Sequence, residues 1–190
     1  MQAKRAEWQA EMMGLDPRRL VFIDETWAKT NMCRRYGRSR RGERLVAKVP
    51  YGHWKTTTFI AALRSDGLTA PTVVDGAVDG SIFLAYVRQQ LIPTLRPGDI
   101  VVMDNLQSHK VVGVRQAIAA AGASVVYLPP YSPDFNPIEQ VFAKVKAILR
   151  KKAERTVEGL WSLLGLVLDE FPAEECLHYF CHCGYTATPL

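Results

Sequence analysis

Three short apolar segments stand out along the chain, at residues 20–23, 100–103 and 123–128. Short runs rich in Val, Ile and Leu between polar residues are typical of strands that other elements cover on both faces. The first two segments are each followed directly by an aspartate, Asp24 and Asp104. The pattern therefore predicts central strands of a sheet, two of which end in a carboxylate.

The remaining pattern predicts further strands and the helices between them. Extended segments are expected at 44–50, 56–63 and 69–75, with a turn at Asp66-Gly67. Helices are expected at 3–14, 81–95, 111–121, 137–153, 156–170 and 172–184, with Ser81 and Thr156 as N-caps. Strands that alternate with helices before a helical C-terminal tail predict an α/β fold, a mixed sheet flanked by helices. We expect one domain at 20–190 and a lead-in helix within 1–19.

Residues 127–142, which read YLPPYSPDFNPIEQVF, predict how the last strand connects to the longest helix. Two adjacent prolines end the strand, since proline cannot donate to a ladder inside a sheet. Asn136 is the expected N-cap of the helix, Pro137 its first residue, and Glu139 lies in its first turn. A third carboxylate is thus predicted on a rigid element just beyond a buried strand.

Three carboxylates in these positions predict a metal site. In open α/β sheets functional groups collect beyond the carboxyl ends of the strands, so Asp24 and Asp104 lie side by side if their strands are neighbours. Glu139 would enter from the helix after the third strand. Carboxylate oxygens suit Mg²⁺ or Mn²⁺, and two such ions can support phosphodiester chemistry.

Each acid also has a structural interpretation. Asp24 could cap the turn that follows it, Asp104 could form an Asx-turn, and Glu139 could return a hydrogen bond to the Asn136 amide in a capping box. Asp134, five residues before Glu139, is the local rival for the third position. The spacing by itself leaves these alternatives open.

The positive charge of the chain is clustered. The net charge is +5, and the lysines and arginines gather at 29–48 and at 144–155, whereas residues 156–190 carry none and five acids. Two basic regions favour a polyanionic partner such as DNA over charge that merely solubilises the surface. The residues expected to hold DNA are Arg34, Arg35, Arg38, Arg40, Arg41, Lys146 and Arg150.

Four further features of the sequence bear on location, metal binding, DNA contact and packing. No apolar run approaches about 20 residues and no signal sequence is visible, so we expect a cytoplasmic protein with no membrane segment. The Cys/His cluster at 176–183 lacks the usual zinc spacing, and buried thiols are the favoured interpretation. Trp27, close to Asp24 and the arginines, is a candidate for stacking on bases. Apolar residues of the tail at 160–168 predict packing on the sheet, with a dimer surface as the alternative.

Three blocks of the sequence resemble a known family. FIDET around Asp24, VVMDNLQSHK around Asp104 and LPPYSPDFNPIEQVFAKVK around Glu139 are similar to bacterial insertion-sequence transposases related to mariner, and 34 residues (105–138) separate the second and third acids. The resemblance runs from about residue 20 to residue 185. It implies an RNase H-like catalytic domain in which Asp24, Asp104 and Glu139 form a DDE triad that binds Mg²⁺, with Mn²⁺ as a substitute.

The resemblance also implies the reaction and its partners. DNA would be cut at transposon ends, and the freed 3′-hydroxyl would attack a target strand. Asn105 and His109 belong to the second block and are expected to position substrate or tune the site, while Asn136 helps to aim Glu139. The alternatives are a related nuclease without strand transfer and an inactive remnant that binds DNA or a partner.

One departure from the family concerns end recognition. Members carry an N-terminal helix-turn-helix region, whereas this chain begins close to the catalytic blocks. We therefore expect weak DNA binding with little sequence preference, and a helix-turn-helix supplied by a separate subunit or an upstream reading-frame product. A homodimer is the remaining expected partner.

Overall fold

A five-stranded mixed sheet forms the centre of the computed structural model, which describes residues 2–186. The strands, β1 to β5 in chain order, lie in the order β3-β2-β1-β4-β5, with β1–β2 and β2–β3 antiparallel and β1–β4 and β4–β5 parallel. Their bounds are Leu20–Lys29, Thr56–Arg64, Gly67–Asp75, Ile100–Met103 and Ser124–Tyr127.

Within residues 2–186, six α-helices cover the sheet. They are α1 (Gln2–Met12), α2 (Gly80–Tyr86), α3 (Val114–Ala120), α4 (Ile138–Lys152), α5 (Val157–Val167) and α6 (Ala173–His182). Helix α2 continues as a π-helical turn and a 3₁₀ turn to Thr94. No helix among the described residues is long and apolar enough to cross a membrane.

The two faces of β1 contribute to different cores because successive side chains of a strand point to opposite sides. Leu20 and Phe22 pack with residues of α1, α4, α5 and α6, whereas Val21 and Ile23 pack with residues of α2 and α3. Leu160, Leu163, Leu164 and Val167 of α5 are buried in the first core, as the packing interpretation predicted, whereas Leu166 on the same helix is 68% exposed. The predicted mixed sheet with helices on both faces is confirmed.

The pairing of β1 with β4 is short, and this opens the sheet near Asp24. Residues 20–22 of β1 pair with residues 100–102 of β4, while β1 remains paired with β2 as far as Lys29. Beyond Phe22 the two parallel strands therefore separate, and the loops that follow β4 and β5 enter the gap. This gap is the place at which polar side chains from several segments can meet.

Two predicted local features are wrong. Residues 31–55, which include the expected strand at 44–50, form no strand or helix and are mostly exposed. Residues 44–50 cannot pair with β2, because β1 and β3 already occupy both edges of that strand, and the side chains of Leu45, Val46 and Val49 stay exposed. Ser81 does not cap α2, because the cap is Asp79, whose carboxylate accepts the Ser81 and Ile82 amides at 2.8 Å each. The predicted Thr156 cap of α5 is confirmed.

Candidate active site

The three predicted carboxylates line one cavity. Asp24 on β1, Asp104 just after β4 and Glu139 in the first turn of α4 surround a cleft of about 460 Å³. Asn105, Asn136 and the proline-rich loop 128–133 complete its wall. The adjacent positions of β1 and β4 bring the two aspartates together, as the rule for parallel strand ends predicts.

Asp24 is the buried member of the set, with 8% of its surface exposed. Its Oδ1 accepts the Glu25 amide and its Oδ2 accepts the Asn136 side-chain amide, both at 2.8 Å. Burial, together with the nearby charges of Asp104 and Glu139, raises its pKa to about 7, although the Glu25 amide opposes this shift. A buried carboxylate beside two other acids is an arrangement that a cation would stabilise.

Asp104 is more exposed and is held in its ionised form. Burial acts to raise its pKa, but the contact with His109 and the bond from the Leu106 amide outweigh it and hold the pKa below the usual range. The Leu106 amide donates to Oδ1 at 2.9 Å, which is the Asx-turn considered from the sequence. A turn and a place in the cavity are therefore compatible roles for this residue.

His109 is fully buried behind Asp104. Its Nδ1 lies 2.7 Å from Asp104 Oδ1 and its Nε2 lies 2.9 Å from Glu25 Oε2. Burial opposes protonation of the ring, but the two carboxylates prevail and raise its pKa to about 9. The Nδ1 contact is close but poorly aligned for a hydrogen bond, so it is mainly an ion pair.

The Asn136 side chain does not cap α4, which corrects the prediction, although Pro137 has helical backbone angles as expected. Asn136 is extended, α4 begins two residues later, and the Asn136 side chain donates to Asp24. Its own amide donates to Pro133 O, so the capping box with Glu139 is absent as well. Asn136 Oδ1 is buried and has no partner among the described residues. The side chain thus belongs to the cavity, where it is bound to Asp24.

Asn105 and Asp134, the other candidates from the sequence, also have defined hydrogen-bond or ion-pair partners. Asn105 lines the cavity and donates its amide to Leu128 O, which ties the end of β4 to the loop after β5. Asp134, the rival of Glu139, lies outside this cleft and pairs with Arg5 of α1 at 2.6 Å. The structure therefore places Glu139, and not Asp134, with the two aspartates.

Helix α1 and the C-terminus hold the loop that carries Asn136. Arg5 donates to Ser132 as well as to Asp134, and its guanidinium lies 4.2 Å from the centre of the Phe135 ring. Trp8 donates to the Tyr185 hydroxyl at 3.0 Å, which in turn donates to Phe135 O at 2.7 Å. The lead-in helix is thus packed against the site loop.

The expected DNA-binding residues differ in their surroundings. Arg34, Arg35, Arg38, Arg40 and Arg41 are exposed in the segment 31–55, whereas Lys146 and Arg150 are half-buried on α4. Two other cations of the second cluster have internal roles: Lys144 pairs with Glu175 at 2.7 Å, and Arg155 donates to the Thr30 and Met32 carbonyls.

Lys146 connects the basic surface to the carboxylate cavity. It lies seven positions after Glu139, about two helical turns, so both lie on one face of α4. Its Nζ lies 4.8 Å from the centre of the Trp27 ring, as does Nζ of Lys29. Burial and the charges of Arg150 and Arg35 lower its pKa, while Glu139 and Asp24 act in the opposite direction.

The cavity presents oxygen donors of the kind that divalent cations prefer, although its aspartates contact protein side chains. Within residues 2–186 no three His, Cys, Asp or Glu side chains are arranged to hold one ion. Asp24 accepts a hydrogen bond from Asn136 and Asp104 is in contact with His109, while Glu139 lines the same cavity and is exposed. Hard oxygen donors and a carboxylate whose pKa is raised by burial and by its acidic neighbours fit Mg²⁺ or Mn²⁺.

The C-terminal cysteines are free thiols. Cys176 and Cys183 are buried and Cys181 is exposed, and burial raises the pKa of the first two to about 11. The interpretation of buried thiols therefore holds for two of the three.

A family model now identifies the chain. The model of the DDE superfamily endonucleases matches residues 19–160, which include all three carboxylates. The chain belongs to this family. No match was found among curated protein sequences.

Solved structures show the fold of this DDE superfamily endonuclease. The pre-cleavage Mos1 transpososome matches with a TM-score of 0.74 and 15% identity over 96% of this chain and 57% of that chain. The mariner Mos1 paired-end complex with Mg matches with a TM-score of 0.74 and 18% identity, over 96% of this chain and 56% of that chain. The catalytic domain of Mos1 mariner transposase matches with a TM-score of 0.66 and 15% identity, over 96% of this chain and 84% of that chain. The fold is the RNase H-like fold of a transposase catalytic domain, and the chain spans little more than half of the first two.

Sequence reasoning missed Glu25 as a member of the site. The residue follows Asp24 directly and points to the opposite face of β1, which argued against a shared role. The signal that could have found it is a buried histidine five residues after Asp104, since a buried imidazole needs partners for both nitrogens.

Proposed function

We propose that this chain is the catalytic domain of a DDE transposase, which hydrolyses DNA at transposon ends and joins the 3′-hydroxyl to target DNA. The convergence of Asp24, Asp104 and Glu139 on one cavity carries this proposal. Membership of the DDE superfamily endonucleases supports it. Residues 20–190 would form the catalytic domain, with α1 packed onto it through Trp8; residues 187–190 lie outside the described part.

Asp24, Asp104 and Glu139 would hold divalent cations. The Mos1 paired-end complexes with Mg and with Mn support this choice of metal. Two bound cations would activate the attacking water or hydroxyl and stabilise the leaving oxygen. Asn136 keeps the Asp24 carboxylate in place, and Asn105 fixes the loop opposite it. The protein would contribute by holding the carboxylates and the reacting groups in a fixed geometry.

DNA would lie across the mouth of the cavity, along the basic face of α4 and the segment 31–55. Lys146 and Arg150 continue the face that Glu139 begins, and the arginines of 31–55 extend the positive surface. Trp27, which is 45% exposed, would support Lys146 and Lys29 through cation–π contacts next to Asp24. A homodimer and a helix-turn-helix on a separate subunit or upstream product remain predictions.

A nicking assay tests this function. Supercoiled plasmid and a labelled duplex with a free 3′-hydroxyl are incubated with the protein in Mg²⁺, Mn²⁺ or EDTA, beside Asp104→Asn. We expect metal-dependent nicking by the parent and a loss of about 10³-fold or more in the variant, since a metal ligand contributes several kcal/mol. Joined products would support a transposase, and nicking without joining would favour a nuclease. Equal nicking by parent and variant would contradict the mechanism.

A further inference from the structure

A chain of contacts crosses from one face of β1 to the carboxylate cavity. Glu25 points away from Asp24, into the side of the sheet that α2 covers, and its Oε2 meets Nε2 of His109 at 2.9 Å. The other ring nitrogen lies 2.7 Å from Asp104 Oδ1. One imidazole therefore bridges a carboxylate outside the cavity and a carboxylate of the cavity wall.

His109 is fixed on every side. Its ring is fully buried, and its centre lies 4.2 Å from that of the Phe83 ring on α2. Its backbone amide donates to Leu106 O at 3.2 Å, and its carbonyl accepts the Tyr127 hydroxyl at 3.3 Å. A ring held in this way is a rigid support for the groups that it contacts.

Asp104 needs such a support because it stands beyond the last residue of β4, where no ladder holds the backbone. Its Oδ1 lies 2.7 Å from His109 Nδ1 and accepts a hydrogen bond from the Leu106 amide at 2.9 Å. Its Oδ2 has no protein hydrogen-bond donor among the residues that the structure describes. The imidazole and the amide thus hold one oxygen and leave the other available to a ligand in the cavity.

We propose that Glu25 and His109 are positioning residues that orient the Asp104 carboxylate for metal binding. Glu25 anchors the imidazole through Nε2, and the imidazole turns Oδ2 of Asp104 toward the cation. This inference rests on the proposed role of Asp104 as a metal ligand. Hydrogen-bonding partners of metal ligands commonly alter metal affinity by 10- to 100-fold, although they never touch the ion.

Mn²⁺ binding without DNA tests the proposal, with electron paramagnetic resonance titration as the readout. Two substitutions separate the ends of the ring: His109→Asn places an amide near the position of Nδ1, and His109→Gln places one near that of Nε2. Glu25→Ala removes the anchor at a partly exposed position, which protects the test if a histidine variant fails to fold. Glu174→Gln and His178→Gln, both exposed on α6, are the matched controls.

We expect about a 10-fold or greater loss of Mn²⁺ affinity in His109→Gln and Glu25→Ala, and a smaller loss in His109→Asn, which keeps a polar amide beside Asp104. The controls should match the parent. Affinities within twofold of the parent for Glu25→Ala and His109→Gln would overturn the positioning role while leaving Asp104 as a ligand. If Asp104→Asn also binds Mn²⁺ like the parent, Asp104 is not a ligand, and the proposed function fails at that residue together with the inference.

Discussion

At the scale of single residues, Asp24 is the side chain that bears the greatest electrostatic cost. It is almost fully buried, lies near Asp104 and Glu139, and has one neutral side-chain donor, Asn136, in place of a cation. Its folded pKa of about 7 lies above the value of about 4 for an exposed aspartate. The metal-free site is therefore destabilised whenever Asp24 is ionised.

Asp24→Asn should stabilise the metal-free protein at pH 8. In the parent, Asp24 does not lower the free energy of unfolding below about pH 4, because its carboxyl is protonated in both states. From about pH 4 to 7 the carboxyl ionises in the unfolded state first, so the free energy of unfolding falls as the pH rises. Above about pH 7 this loss is constant. The variant should thus be more stable by on the order of 2 kcal/mol at pH 8, and the difference should close at low pH. Thermal melts in EDTA across this range measure it, and a variant less stable than the parent at pH 8 would contradict it.

At the scale of elements, α1 has a larger structural role than a lead-in segment. Trp8 and Met12 are buried in the core that α4, α5 and α6 share, and Trp8 begins the hydrogen-bond chain through Tyr185 to Phe135. Arg5 holds the same loop from its outer side. The helix therefore links stability of the core to the position of Asn136 and of the first turn of α4.

Trp8→Ala should destabilise the fold by about 3–5 kcal/mol, the usual cost of removing a large buried aromatic side chain. Urea unfolding followed by far-UV circular dichroism measures the change. Trp161→Ala is the matched control: Trp161 is 39% exposed and makes one hydrogen bond to Thr57, so a loss of about 1 kcal/mol is expected. Equal losses in the two variants would show that α1 is not part of the core.

At the scale of the whole molecule, the positive charge is distributed unevenly about the sheet. The cavity lies at the carboxyl ends of β1 and β4, on the side of the sheet where Lys146 and Arg150 stand. Arg18 and Arg96 lie near the opposite ends of these strands, and their side chains are 81% and 66% exposed. DNA drawn to the cavity side would release counterions there and not at the other end.

Lys146→Ala with Arg150→Ala should weaken binding to duplex DNA and reduce the slope of log K against log salt by about 1 for each lost phosphate contact. Fluorescence anisotropy at several salt concentrations, in EDTA to prevent cleavage, gives this slope. Arg18→Ala with Arg96→Ala removes the same charge from the far end and should leave the slope unchanged. The same loss of slope in both pairs would indicate an effect of net charge and not of a defined DNA surface.

The sequence by itself determined the elements and the places of the acids. Apolar runs identified β1, β4 and β5, and the proline-rich stretch identified the start of α4 within a residue or two. Asp24, Asp104 and Glu139 could be placed at element ends because burial periodicity and turn chemistry are local properties. The family resemblance supplied the RNase H-like fold, which the solved structures confirm.

Only the tertiary structure decided the partners of the buried polar groups. Asn136, expected as a cap, bonds to Asp24 across 112 residues, and Glu25 reaches His109 across 84. Local patterns could not predict these pairs, because a polar group in the interior takes whichever partner the strand order brings within reach. These pairs can form because β1 and β4 separate after Phe22, and that separation depends on how the whole sheet is assembled.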